Sequence, residues 1–228
     1  MFGDSAYFGI VVSILTYSAG ITIKNRFKSA VLNPLLFSAV IIITFLLVFG
    51  ISYEEYNNSA KFLTYLLTPA TVSLAVPLYR QFELLKKNPV TILLGLLSGV
   101  LASLLSVLVL CIIFDIEPDI YYTLLPKSVT TAIGMEVAKE LGGKPTIAAT
   151  VIVITGVLGN VTASGVLKLF KIKHPIAVGL AIGCSSHAVG TARAIEMGEI
   201  EGAMSGLAIA VSGIMTVILA PLFASIQL

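Results

Sequence analysis

The sequence predicts an all-α integral membrane protein with about eight transmembrane segments arranged as repeated helical hairpins. Two features of its composition indicate this class: 57% of the 228 residues are apolar and only 11% are charged, against about 25% charged residues in an ordinary soluble domain. The apolar runs are also continuous over the roughly 20 residues that a bilayer-spanning helix needs, without the alternation of β-barrel strands. This composition excludes a disordered chain, a nucleic-acid-binding module and a water-soluble globule.

Eight apolar runs, separated by helix-breaking or charged residues, are the predicted spans. With short connections these runs fill the chain, so we predict one polytopic transmembrane domain over residues 1–228. The predicted spans cover residues 5–23, 33–51, 60–80, 90–114, 119–141, 146–170, 175–197 and 203–226.

The basic residues predict how the spans are oriented. When the loops are numbered from the N-terminus, the odd-numbered loops contain nine Lys and Arg residues and the even-numbered loops contain four. The positive-inside rule then places the odd loops in the cytoplasm and both termini outside. The sixth loop, with Lys168, Lys171 and Lys173, opposes this arrangement. If one segment is a re-entrant hairpin instead of a crossing, the later loops change sides, and the sequence leaves both arrangements open.

A weak internal repeat links the third, fifth and seventh spans. The stretches 130–142 and 186–198 share small residues and a glutamate at a constant offset of 56 residues, and the stretch 73–83 precedes the first of them by 57. Repeats are common in transporters, where the substrate binds at their interface, although small residues also recur by chance. The predicted units, each a hairpin of two membrane helices, are roughly 1–55, 56–115, 116–171 and 172–228.

A cluster of hydroxyl residues interrupts each of these three spans. Proline frees a backbone carbonyl, Ser and Thr cap a helix that restarts, and the restarted helix presents N–H groups that bind anions. Such a break is tolerated at membrane depth only where it faces protein or a water-filled cavity. We therefore predict broken helices near the membrane midplane that converge on an anion-binding pocket. The alternative is that the breaks are kinks that serve helix packing.

Ionisable residues within the spans sharpen this prediction, because they are costly there and mark functional sites by default. Lys127 could contact a substrate carboxylate or extend to the membrane interface. His187 could couple proton movement to transport, or donate a hydrogen bond to a carbonyl. Arg193 could hold a carboxylate or pair with a nearby glutamate. Asn160 could line the cavity or stabilise helix packing.

The helix breaks and the polar residues around them form the candidate site. The predicted helix-breaking residues are Pro69, Pro77 and Pro126. The predicted substrate-binding residues are Thr71, Ser73, Lys127, Ser128, Thr130, Thr131, Asn160, Ser185, Ser186, His187 and Arg193. The sequence has no Cys/His cluster, HExxH motif, GxSxG elbow or pair of intramembrane aspartates, so we expect no catalytic residue, no metal and no cofactor.

Three stretches of the chain carry a resemblance to a known family. They are Leu67 to Thr71 with Ala75 to Tyr79, Pro126 to Thr131, and Ser186 to Ala192. With these stretches the sequence resembles the LrgB/CidB family, also called the YohK or antiholin-like family, over essentially its whole length. The plant plastidal glycolate/glycerate translocator looks like a fusion of such a chain with a small LrgA/CidA-like membrane protein, the partner of this family.

The resemblance implies a multi-pass protein of the bacterial or archaeal cell (inner) membrane that acts with a small LrgA/CidA-like membrane partner. It implies either a transporter of small monocarboxylates such as pyruvate, glycolate or glycerate, or a holin/antiholin-like regulator of murein hydrolase export and lysis. Transport explains the hydroxyl clusters and buried charges, whereas a regulator needs only packing faces. We also expect a homo-oligomer, and we do not expect an enzyme.

Overall fold

The computed structural model describes residues 7–27, 34–66 and 89–226, together with the single positions Pro69, Val72, Ser73, Tyr79 and Lys86. Within these residues the chain consists of helices joined by short turns, and no strand is found among them. The predicted all-α class is therefore confirmed. The chain divides into two compact units, Met1–Leu74 and Ala75–Leu228.

The first unit contains α1 (Phe8–Phe27), α2 (Pro34–Phe49) and α3 (Tyr53–Tyr65). Hydroxyl groups join α1 to both neighbours. The backbone N–H of Gly9 donates to Ser59 Oγ (2.8 Å), and the hydroxyl groups of Thr16 and Ser38 are 2.7 Å apart. Such bonds hold membrane helices together, because lipid is as apolar as the helix surfaces and the hydrophobic effect does not drive their association. The third predicted span, 60–80, overlaps α3 only at its start, and about half of its residues lie outside the described part of the chain.

The second unit contains six helices in its described part, and four of them begin at proline. Proline suits the first turn because its φ angle is already helical and its missing N–H would have no partner there. These helices are α4 (Pro89–Ile113), α5 (Pro118–Leu124), α6 (Thr131–Glu140), α7 (Pro145–Leu169), α8 (Pro175–Met197) and α9 (Glu199–Ala224).

Five of the described helices are long and apolar enough to cross a membrane: α1, α4, α7, α8 and α9. At 1.5 Å per residue, the 25 residues of α4 and of α7 extend over about 37 Å, more than the roughly 30 Å of a bilayer's hydrocarbon core. These helices agree with the predicted multi-pass membrane protein. The prediction of eight segments, and the division into four repeated units, stay predictions.

The fifth predicted span, 119–141, differs from a continuous helix. Residues 125–130 form turns between α5 and α6. Beyond α6, the backbone N–H of Lys144 donates to Thr123 Oγ1 (2.7 Å), and Lys144 Nζ lies 2.6 Å from the carboxylate of Asp119. A straight helix would separate residues 119 and 144 by about 37 Å. The chain therefore doubles back, and we call residues 118–140 the first hairpin.

The helix α8 also reverses its direction. His187 has non-helical angles within it, φ 43° and ψ −140°. A Cβ atom added to Gly179 would meet the carbonyl oxygen of Glu201, and Ile195 contacts Gly202. Residues 179 and 195 would be about 24 Å apart in a straight helix, yet they contact two consecutive residues of α9, Glu201 and Gly202. We call residues 175–197 the second hairpin.

The core of the second unit lies along one stripe of α4. Ile92, Leu96, Val100 and Leu104 follow each other at four-residue spacing and are almost fully buried, as residues on one face of a helix must be. They belong to a cluster with Tyr121 of the first hairpin and with residues of α9. This packing leaves another face of α4, rich in small and hydroxyl residues, for the cavity described next.

Candidate functional site

A cavity of about 1050 Å³ lies within the second unit. Its walls come from α4, from the turn of the first hairpin, from α7 and from the first arm of the second hairpin. In the described part of the chain, Lys127 is the only Lys or Arg that lines the cavity, and no Asp or Glu lines it. The hydroxyl residues that α4 and α7 contribute to the cavity are Thr91, Ser98, Ser103, Ser106, Thr155 and Thr162.

The ammonium group of Lys127 is held by two serines. Lys127 Nζ donates to Ser128 Oγ (3.1 Å) and to Ser103 Oγ (3.2 Å), and Ser103 Oγ donates to Ser128 Oγ (3.1 Å). An ammonium has three N–H donors, so these serines leave one donor for another acceptor. Among the described residues no carboxylate forms an ion pair with Lys127. A charge in such an environment favours an anionic ligand.

Two adjacent serines of the second hairpin line the same cavity. The hydroxyl groups of Ser185 and Ser186 are 3.0 Å apart. Ser186 is 2% exposed and packs against Gly159 of α7, where an added Cβ atom would collide with its hydroxyl group. The absence of a side chain at Gly159 is therefore what allows this turn to approach α7 so closely. Cys184, beside these serines, packs against Gly99 of α4.

His187 is buried and is not among the residues that line the cavity. Its Nε2 atom lies 2.9 Å from the carbonyl oxygen of Ile152, to which it donates as the protonated ring nitrogen. Its own carbonyl oxygen accepts a hydrogen bond from Thr191 (2.9 Å). The structure thus gives His187 the carbonyl contact that the sequence offered as the alternative to proton coupling.

Asn160 and Arg193 join the second hairpin to α7 and do not line the cavity. Asn160 Nδ2 donates to the carbonyl oxygen of Val189 (2.8 Å). Arg193 donates to Glu196 (2.8 Å) and to Ser164 Oγ of α7 (2.9 Å). These contacts correspond to the packing and ion-pair alternatives considered for the two residues.

The remaining candidates lie in two places. Thr130 and Thr131 are half-buried at the start of α6 and do not line the cavity, whereas Pro126 is buried in the turn just before Lys127. Ser73 is exposed in the first unit and donates to the carbonyl oxygen of Pro69 (2.8 Å). The other two candidates, Thr71 and Pro77, lie outside the described residues. The predicted convergence of all three breaks therefore stays a prediction.

The residues that α4 contributes to the cavity are not among those predicted from the sequence. Thr91, Ser98 and Ser106 repeat at seven- and eight-residue spacing, which places them on one helix face. Gly95 and Gly99 lie between them on the same side and also line the cavity. This periodicity was readable from the sequence, but α4 contains no charge, and no proline after its first residue, to draw attention to it. Ser103, which holds Lys127, belongs to the same helix.

Comparisons with known proteins agree over almost the whole chain. The model of the LrgB-like family matches residues 13–226. The chain is 38% identical over 218 residues to the protein named antiholin-like protein LrgB from Bacillus cereus strain B4264, and the match covers 95% of each chain. The protein of the same name from Bacillus anthracis strain A0248 matches equally well. No solved structure matches this chain. The chain therefore belongs to the LrgB-like family.

Proposed function

We propose that this protein is a transporter, or the larger component of a transporter, for small monocarboxylates such as pyruvate, glycolate or glycerate. The observation that carries this proposal is the ammonium group of Lys127 at the wall of a large cavity. Hydroxyl groups hold the ammonium in place, and among the described residues no carboxylate neutralises it. A substrate with one carboxylate would match the single charge.

The second half of the site consists of hydroxyl donors and acceptors. Ser185 and Ser186 come from the second hairpin and Ser128 from the first, and all three line the cavity. Pyruvate, glycolate and glycerate each carry an oxo or hydroxyl oxygen on the carbon next to the carboxylate, and these serines would bind that oxygen. We assign no role in substrate contact to His187, Asn160 or Arg193, since they join the second hairpin to α7.

The proposal places the protein in the inner membrane, together with a small LrgA/CidA-like membrane protein. The apolar helices support a membrane location, and the relatives are bacterial. The partner follows from the family alone. The assay must therefore be made both with and without such a partner.

The test is uptake of labelled pyruvate, glycolate and glycerate into vesicles that contain the purified protein. The variant Lys127→Met keeps the length of the side chain and removes its charge. Loss of a hydrogen bond to a charged group costs about 1.5–3 kcal/mol, so we expect the KM for uptake to rise about 10- to 100-fold. Lys139→Met is the matched control, because the Lys139 side chain is 69% exposed and its nearest carboxylate is 3.9 Å away.

The outcomes separate clearly. Uptake that depends on Lys127 and not on Lys139 supports transport through this cavity. If no carboxylate is taken up with or without the partner, or if Lys127→Met transports as well as the unaltered protein, the proposal is wrong.

The second candidate is an antiholin-like regulator of murein hydrolase export and lysis. It is favoured by the names of the relatives, which support it at least as well as they support transport. A regulator that acts by packing against its partner does not need the charge of Lys127. Autolysis of cells that carry Lys127→Met should then match that of cells with the unaltered protein, while uptake is absent from both.

A further inference from the structure

We infer that the two hairpins enter the membrane from opposite sides and that their turns meet at its middle, so that the cavity has one re-entrant wall from each side. In the described part of the second unit, three helices (α4, α7 and α9) then cross the bilayer. The sequence predicted five crossings for the same region. The gating role drawn from this arrangement rests on the proposed transport function, whereas the arrangement itself does not.

The turns of both hairpins lie beside the middle of α7. The second hairpin contacts α7 between Ile152, which accepts the hydrogen bond of His187, and Gly159, which packs against Ser186. The first hairpin reaches the same level, since a Cβ atom added to Gly134 would meet the side chain of Ile152. Ile152 and Gly159 lie about 10 and 21 Å along a helix of about 37 Å. Neither hairpin therefore extends along the whole of α7.

The bases of the hairpins lie at opposite ends of α7 and of α9. The first hairpin closes where Thr123 accepts the N–H of Lys144, directly before α7 begins. The second hairpin follows the C-terminal end of α7, and Arg193 in its returning arm reaches back to Ser164. The helix α9 starts beside the second base, and its last turn accepts a hydrogen bond from Tyr121 of the first hairpin (2.9 Å).

The charges of the loops fit this arrangement better than they fit five crossings. With two re-entrant hairpins, five basic residues of the described chain lie on the side that holds the N-terminal end of α4 and the base of the second hairpin, and two lie on the opposite side. The five are Lys86, Lys168, Lys171, Lys173 and Arg193, and the two are Lys139 and Lys144. With five crossings, Lys168, Lys171 and Lys173 would lie outside the cell, against the positive-inside rule. The sixth loop therefore no longer conflicts with that rule.

This arrangement gives the cavity two gates. Lys127 and Ser128 stand on a hairpin anchored at one membrane face, and Ser185 and Ser186 stand on a hairpin anchored at the other. Movement of one hairpin away from α7 would open the site to its own side while the other hairpin keeps the opposite side closed. A transporter needs such alternate opening around a fixed site.

The test is the labelling of single cysteines by a membrane-impermeant maleimide, in intact cells and in inverted vesicles. The parent protein carries Cys111→Ala and Cys184→Ala, which remove both native thiols. Exposed positions report the two bases: Glu117→Cys and Lys139→Cys for the first hairpin, and Lys173→Cys and Glu199→Cys for the second. Labelling after solubilisation in detergent measures the total amount of each variant.

We expect Glu117→Cys and Lys139→Cys to be labelled in intact cells, and Lys173→Cys and Glu199→Cys to be labelled only in inverted vesicles. Five crossings would instead put the two members of each pair on opposite sides, and that result would overturn the inference. The labelling pattern does not depend on uptake. If no substrate is taken up in the vesicle assay, but the two members of each pair are still labelled from the same side, the transport proposal is wrong and the hairpin arrangement stands.

Discussion

Gly159 is the position where a single methyl group most directly tests the contact between α7 and the second hairpin. A Cβ atom added there would lie 2.6 Å from Cβ of Ser186 and closer still to its hydroxyl oxygen. Carbon atoms in contact prefer about 3.5–4.0 Å, so the turn must move by about 1 Å. Rotation of the Ser186 hydroxyl does not relieve the overlap, because the two Cβ atoms themselves collide.

Overpacking of this kind costs about 1–3 kcal/mol. For a chain of this length, each kcal/mol lowers the midpoint of thermal unfolding by about 2–4 °C. We expect Gly159→Ala to show this loss in detergent, and to bind or transport substrate less well because Ser185 and Ser186 are displaced. The assay is thermal unfolding of the purified protein, followed by uptake in vesicles.

Gly165→Ala is the matched control, since it lies in the same helix with nothing within 4 Å of the added Cβ atom. It should be neutral, or slightly stabilising, because alanine favours helix more than glycine does. Equal stability of Gly159→Ala and Gly165→Ala would show that the second hairpin does not pack against Gly159 as described.

Three further predictions concern hydrogen bonds and charge. Thr191→Val leaves the buried hydroxyl of Ser205 without its 2.7 Å partner and should lower the free energy of unfolding by about 1–3 kcal/mol. The double variant Thr191→Val, Ser205→Ala should recover part of this stability; if its loss equals the sum of the losses of the two single variants, the two hydroxyl groups are not coupled. The hydrogen bond to Asp119 raises the pKa of Lys144 above 10.5, so their ion pair should contribute stability at neutral pH and lose it as the pH rises through that pKa. The difference in thermal midpoint between the protein and Lys144→Met should therefore shrink above about pH 10.5; a constant difference up to pH 11.5 would contradict this. Ser103→Ala removes one of the two hydroxyl groups that hold Lys127 and should raise the KM for uptake with little change in protein amount. Ser225→Ala should leave the KM unchanged, because Ser225 does not line the cavity and its hydroxyl donates to the carbonyl oxygen of Leu222.

Much of the site could be predicted from the sequence because its residues are anomalous in a membrane segment. Lys127 follows a proline, and Ser185 and Ser186 interrupt an apolar run; all three line the cavity. Ser103 could not be predicted in the same way. Serine is ordinary in a membrane helix, where its hydroxyl usually returns to its own backbone, and only the packing of α4 against the first hairpin brings Ser103 to Lys127.

The composition and the continuous apolar runs alone determined that the described part of the chain is helical, since a backbone in lipid must satisfy its hydrogen bonds within each segment. The positions of the long helices followed from the same runs. The reversals at residues 125–130 and at His187 required the tertiary structure. A re-entrant hairpin and a crossing helix need the same number of apolar residues. They differ in the contacts of their two ends, which lie together in a hairpin and on opposite sides of the membrane in a crossing helix. Lys144 beside Asp119, and Glu201 beside Gly179, are contacts between residues that the predicted crossings would place on opposite sides of the membrane.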